Sequence, residues 1–233
     1  MNRQDQLDYF YRLIHEIEDR VGEKRYLRDC TGKMNWPRKG VYFFFEPGEF
    51  REDRKTPRVV RVGTHALKRG SKTTLWKRLR QHRGTTRGSM VGGGNHRGSI
   101  FRLHVGSAIL EKEGITDEYQ TWGVSQSASR TIRVSEYPIE KMVSNYIRSM
   151  PFIWLNIDDE PGPDSQRGYI ERNSIAFLSN YSRKDIDPPS SNWLGKYCWN
   201  ENVRNSGLWN SNHVNETVHY NFLDQIEQII YEI

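Results

Sequence analysis

At 233 residues, with 35% hydrophobic and 12% aromatic side chains, the chain suits one large domain or a domain with extensions and is too aromatic to be disordered. No apolar run approaches the roughly 20 residues of a membrane span, and no apolar leader follows Met1. Two cysteines, Cys30 and Cys198, exclude a disulfide scaffold or a Cys-rich zinc site, so the expectation is a cytoplasmic protein with reduced thiols. The net charge of +6 hides an asymmetry: the 57 residues from Arg54 to Leu110 hold 14 Lys and Arg and no Asp or Glu. A merely soluble surface intersperses both signs. The acid-free stretch therefore reads as a footprint for a polyanion, most commonly nucleic acid.

Leu7, Phe10, Ile14, Ile17 and Val21 recur at helical spacing among acids and predict an amphipathic helix over 5–21. Residues 22–39 read as a connection. Gly40–Phe45 is rich in β-formers and predicts a strand that Pro47-Gly48 stops. Pro57–Gly63 predicts its hairpin partner across a charged loop at 46–57. Thr74–Arg83 predicts a helix ended by Gly84, with Leu75 and Leu79 inward. The glycine-rich, basic segment 84–98 predicts a mobile loop and lacks the Lys-Ser/Thr of a P-loop. Ser99–Val105 alternates, Phe101, Leu103 and Val105 against Arg102 and His104, which predicts a half-buried strand.

Ser135 predicts an N-cap, with Pro138 in the first turn of a helix carrying the Ile139, Val143, Tyr146, Ile147 and Met150 stripe. Pro151 ends it, and Phe152–Ile157 predicts another strand. Beyond Asp158 the reading is a Pro/Gly/Asp loop, a short helix near 170–179, a loop at 185–192 and a last helix through Phe222, Ile226, Ile229 and Ile230. Trp193, Trp199 and Trp209 are expected in the core rather than stacked on bases.

Five features follow one another in a specific order. Gly40-Val41-Tyr42 opens one strand and Arg61-Val62-Gly63 closes its partner. Arg78 and His82 stand four apart on the next helix, Glu140 lies near the start of a later one, and Asn156 sits in the strand after it. In this order the chain, over residues 38–160, resembles the GIY-YIG nuclease family. The resemblance implies a catalytic group of Tyr42, Arg61, His65, Arg78, His82, Glu140 and Asn156, with Glu140 holding Mg²⁺ or Mn²⁺ and Asn156 supporting it. It also implies DNA, double-stranded, as the partner. One position departs from the family: the second motif begins with Arg61 where a tyrosine is expected, which leaves open an impaired nuclease. Alternatively, Arg61 or His65 supplies the charge and hydrogen bonding that the missing phenol would have organised.

The residues make chemical sense by themselves. Phosphodiester hydrolysis needs an activated water, charge compensation on the phosphoryl oxygens and help for the departing oxygen. A free tyrosine, with a pKa near 10, is ionised about once in a thousand at pH 7. Arg61, His65, Arg78 and His82 around Tyr42 would favour its phenolate and make it a general base. Arg78 offers a bidentate fork for the scissile phosphate. Glu140, with Glu136 one turn earlier as its rival, would hold a single cation completed by water and phosphate oxygens. Lys68, Arg69, Lys72, Arg83, Arg87 and Arg97 are candidate phosphate contacts, and Arg102 and His104 would reach the same groove. His213 and His219 are not at zinc-ligand spacing.

The expected fold is α/β (α+β): a small mixed or antiparallel three-stranded sheet flanked by helices. The expected division is an N-terminal helical extension at 1–37, the nuclease core at 38–160, and a C-terminal extension at 161–233 packing on the core. The expected function is a divalent-metal-dependent DNA endonuclease, by analogy one that restricts foreign DNA, with a homodimer as a possible route to cutting both strands. The rivals are a nucleic-acid-binding module that has lost cleavage and a structure-specific repair nuclease. One geometric demand carries the reading: Tyr42, Arg78 and Glu140 must line a single basic cleft. Three separate surfaces, or a phenol oxygen sealed in the interior, would overturn it.

Overall fold

The computed structural model describes residues 2–232. Its strands, β1 (Arg25–Tyr26), β2 (Gly40–Phe50), β3 (Pro57–Gly63) and β4 (Pro151–Asn156), form one antiparallel sheet in the order β1-β4-β2-β3. The expected α+β class with a small antiparallel sheet holds, and β1 adds a two-residue fourth strand inside the segment read as a connection. Side chains alternate along β2. Val41, Phe43 and Phe45 enter one apolar cluster, and Tyr42 and Phe44 enter the other. Each fully buried aromatic stabilises the fold by roughly 1.5–3 kcal/mol.

The first cluster lies under α1 (Arg3–Val21), α6 (Gln166–Leu178) and α8 (Phe222–Glu232). Helix α1 is the expected amphipathic element, capped by Asn2, whose side chain accepts the Asp5 N–H at 2.9 Å. The second cluster lies under α2 (Leu75–Arg83), α3 (Ile100–Glu113) and α5 (Tyr137–Ser149), with α4 (Arg130–Ser135) leading into α5 and α7 (Glu201–Ser206) in the tail. Among the described residues no helix is long and apolar enough to cross a membrane.

Four expectations about local elements fail, each for a physical reason. Strand β2 runs through Pro47-Gly48 to Phe50, because its pairing with β4 stops at Phe44 and its register with β3 shifts between Phe44 and Phe45 and again before Phe50. A proline is tolerated at such an irregularity. Ser99–Val105 is not a strand but the start of α3, with the Ser99 hydroxyl accepting the Arg102 N–H at 3.3 Å. Phe101, Val105 and Ala108 carry the helical period, while Arg102 and His104, read as a polar face, are also buried. Within α3, Gly106 makes room for the Trp122 ring, which a Cβ there would strike.

Ser135 does not cap α5; it ends α4 and donates to the Ile132 carbonyl, and Glu136 occupies the cap position. The glycine-rich segment is packed rather than loose. Thr85 N–H donates to the Gly93 carbonyl at 2.8 Å, Gly92 N–H returns to Thr85 at 2.9 Å, and a Cβ on Gly94 would collide with the Arg102 guanidinium.

The tail is built into the sheet. Trp209 N–H donates to the Val60 carbonyl at 2.7 Å, and the Asn210 amide both accepts from Val62 N–H (3.1 Å) and donates to its carbonyl (2.8 Å). This covers part of the β3 edge, which would otherwise present unpaired groups. The Trp193 and Trp209 indoles meet in the core and both donate to the buried Glu46 carboxylate, at 3.2 and 2.8 Å. Trp199, expected in the core with them, is 40% exposed.

Candidate active site

The two motif glycines allow backbone and ring to meet at one end of the sheet. Tyr42 pairs with Gly63 across β2 and β3, and a Cβ on Gly63 would overlap the Tyr42 ring. The phenol is sealed there. Tyr42 is 0% exposed, and its hydroxyl meets His82 Nε2 at 2.8 Å, while His82 Nδ1 meets the Ser99 hydroxyl at 2.8 Å. Burial, with Arg78, Arg61 and Arg102 nearby, pushes the His82 pKa well below its usual value, so this imidazole is neutral at pH 7.

Glu140 is also closed off. Its carboxylate accepts the His96 N–H (2.6 Å) and meets His96 Nδ1 (3.0 Å) through one oxygen, and Arg102 occupies the other. Arg102 also donates to the carbonyls of His82 (2.8 Å) and Glu140 (2.9 Å) and to the Ser144 hydroxyl (3.0 Å). Burial opposes ionisation of Glu140, but His96 and Arg102 outweigh it and hold the carboxyl below its usual range. No oxygen is left for a divalent cation, so Glu140 does not fit a metal ligand. Glu136 does not replace it: Arg97 grips both of its oxygens, at 2.6 and 2.8 Å, and Thr121 adds a third bond.

The grouping of Tyr42, Arg78 and Glu140 in one cleft is therefore overturned, and with it the hydrolase mechanism built on those three residues; a nuclease reading has to rest on a different grouping. Of the three, only Arg78 keeps surface, half-buried, with bonds to Gln81 (3.0 Å) and the Gly98 carbonyl (3.3 Å). Asn156 sits opposite Gly40 at the exposed end of β4 and shares no hydrogen bond with Glu140.

A different carboxylate faces the second motif. Glu171, the only acid of α6, accepts the N–H of Thr64 at 3.0 Å, directly after Arg61-Val62-Gly63. The Thr64 hydroxyl in turn donates to the Gly40 carbonyl at 2.8 Å, which ties both motifs to this corner. Burial raises the Glu171 pKa against the pull of Arg61, His213 and Arg78. The side chain lines an open cleft of about 860 Å³ with Lys68, Tyr169, Arg172, Asn173 and His213. The Thr64 bond engages one oxygen only, and a lone carboxylate oxygen suits a hard cation held otherwise by water and substrate oxygens. Among the described residues no three His, Cys, Asp or Glu converge as a metal-binding group.

Arg61 is 4% exposed, lies 4.7 Å over the Phe101 ring and donates to the Trp209 carbonyl; its Nε has no partner among the described residues. His65 is buried with neither ring nitrogen partnered among the described residues, and burial with Arg167 and Arg78 pushes its pKa down to about 4. Arg61, Arg78 and Glu171 act on one another's charge, and His65 lies in the field of Arg78. The basic candidates divide. Lys68, Arg69, Lys72 and Arg87 are exposed. Arg83 is half committed, donating to the Cys30 carbonyl at 2.5 Å under the Trp76 ring. Arg97, Arg102 and His104 are corrections: the first two are consumed by Glu136 and Glu140, and His104 is 4% exposed, its pKa pushed to about 3 by burial.

Glu171 escaped the sequence reading because nothing local marks it. The one available signal was its isolation as the sole acid of a helix otherwise carrying only Arg167 and Arg172. A family model described as the GIY-YIG domain matches residues 1–233. No curated protein and no solved structure matches the chain. Because that match spans the full length, the protein belongs to the GIY-YIG family, whose members are nucleases.

Proposed function

We propose that this chain is a DNA endonuclease in which Arg78 clamps the scissile phosphate, Arg61 adds positive charge and Glu171, not Glu140, is the working acid. The observation that carries the reading is the Thr64 N–H to Glu171 bond, which holds a carboxylate in the lining of a cleft where the charges of Arg61 and Arg78 act on it. A guanidinium fork matches two phosphoryl oxygens, and charge developing there is stabilised most by groups already in position. GIY-YIG nucleases use divalent cations; a Mg²⁺ or Mn²⁺ at Glu171 would supply charge neutralisation at the phosphate. The sealed Tyr42 is left out as the group that meets water. It orients His82 from below. Restriction of foreign DNA is the setting the resemblance suggests, and comparing cleavage of modified with unmodified DNA tests it.

Supercoiled plasmid incubated with the protein and Mg²⁺ or Mn²⁺ should be nicked and linearised. A second reading, a DNA-binding module without cleavage, is favoured by the buried phenol and by Arg61 in the second motif. Binding without nicking, across plasmid, linear and branched substrates, would decide for that module.

A further inference from the structure

Behind Arg78 a groove of about 440 Å³ runs between the end of α2, the segment 84–98 and α4. Four arginines line it, Arg80, Arg83, Arg87 and Arg133, and no carboxylate does. Among the described residues none of the four is in an ion pair, unlike the buried Arg58, Arg97, Arg102 and Arg167. Its wall is held in shape: Arg148 donates to the carbonyls of Arg83 (2.8 Å) and Thr85 (3.1 Å). The groove also leads to the site, because both acceptors of Arg78, Gln81 and Gly98, belong to its lining.

Four uncompensated guanidiniums in one concave wall focus a positive potential, and they are kept apart at a cost unless an anion joins them. One phosphate would satisfy one or two of them. Four in one groove call for a repeating anion. We propose that this groove carries the sugar–phosphate backbone of the DNA strand leaving the Arg78 phosphate position. The inference rests on the endonuclease reading for its direction, but not for its occurrence. Such contacts position the duplex and do not read sequence.

The test is Arg80→Glu/Arg133→Glu in the full chain, with affinity for a fluorescein-labelled duplex measured by anisotropy in EDTA over a salt series. Both side chains are exposed, so the variant should melt with the wild type. Its affinity should fall at least about tenfold, and the slope of log K against log salt should drop by about two, near 0.9 per lost phosphate contact. Lys184→Glu/Lys196→Glu, the same charge change outside the groove, should leave both within about twofold. Wild-type affinity in the groove variant, or an equal loss in the control, overturns the proposal. A wild type that binds but never cuts, with binding lost in the groove variant, upholds the groove and sinks the endonuclease. A wild type that cuts, beside a groove variant that binds normally, does the reverse.

Discussion

Glu140 and Glu171 are both buried or half-buried carboxylates with arginine neighbours, yet their surroundings are opposite. Around Glu140 every lone pair is spoken for by His96 and Arg102, and the arginine spends its other donors on backbone and Ser144. Around Glu171 one backbone N–H fixes the carboxylate, while Arg61 and Arg78 stand nearby without forming an ion pair with it among the described contacts. A saturated cluster is a structural joint between α3 and α5. An unsaturated one, opening on a cleft, can meet substrate.

The largest expected effect separates the two directly. Glu171→Gln should lower plasmid cleavage by about 10²–10³-fold or more, the scale of losing a key electrostatic group, and a rate within tenfold of wild type would break the comparison. Next comes Glu140→Gln, which should destabilise the fold by ~3–5 kcal/mol because it leaves Arg102 buried without its counter-charge. An unchanged denaturation midpoint would show that the cluster is not a joint.

Acidity sharpens the same contrast, since the two groups shift in opposite directions. The folded-state pKa of Glu140 is lowered, so its pair contributes stability above the unfolded value near 4.5, lost as pH falls through the lower folded value. The folded-state pKa of Glu171 is raised, so its burial costs stability, which is lost as pH rises from the unfolded value near 4.5 through the higher folded value. Glu171→Gln should therefore melt at or above the wild-type temperature at pH 7, whereas Glu140→Gln should melt lower at pH 7 and approach wild type only in acid. Thermal melts from pH 3 to 8 read both, and parallel curves for the two variants would contradict the assignment.

Smaller effects are expected under the site. Gly63→Ala forces a Cβ into the Tyr42 ring and should cost about 1–3 kcal/mol. Tyr42→Phe removes the bond to His82 Nε2 and should cost about 1 kcal/mol of stability, with a modest loss of rate. A rate loss of several orders of magnitude in Tyr42→Phe at unchanged stability would return the phenol to the chemistry.

Helix α1, the β2–β3 hairpin, α2 and β4 were legible because each writes its period and its stops into a short window. The order of motifs was legible too, and it led to the family that matches the whole chain. Helix α3 was misread because five alternating residues, Phe101 to Val105, satisfied the strand template while the helical period needed Ala108 and Leu110 to show itself. The division of labour between acids was not legible at all. Whether Arg102 is a free surface cation or the partner of Glu140 depends on α3 packing against α5, a long-range event with no local trace. Position near a helix start favoured Glu140; tertiary contact favours Glu171.

Plasmid cleavage by Glu171→Gln with Mn²⁺, run below a melting temperature verified to match or exceed wild type, bears on the central assignment most directly. A folded protein without nicking is the expected result. Cutting at the wild-type rate would remove Glu171 from the chemistry and with it the distinction between the open and the saturated carboxylate.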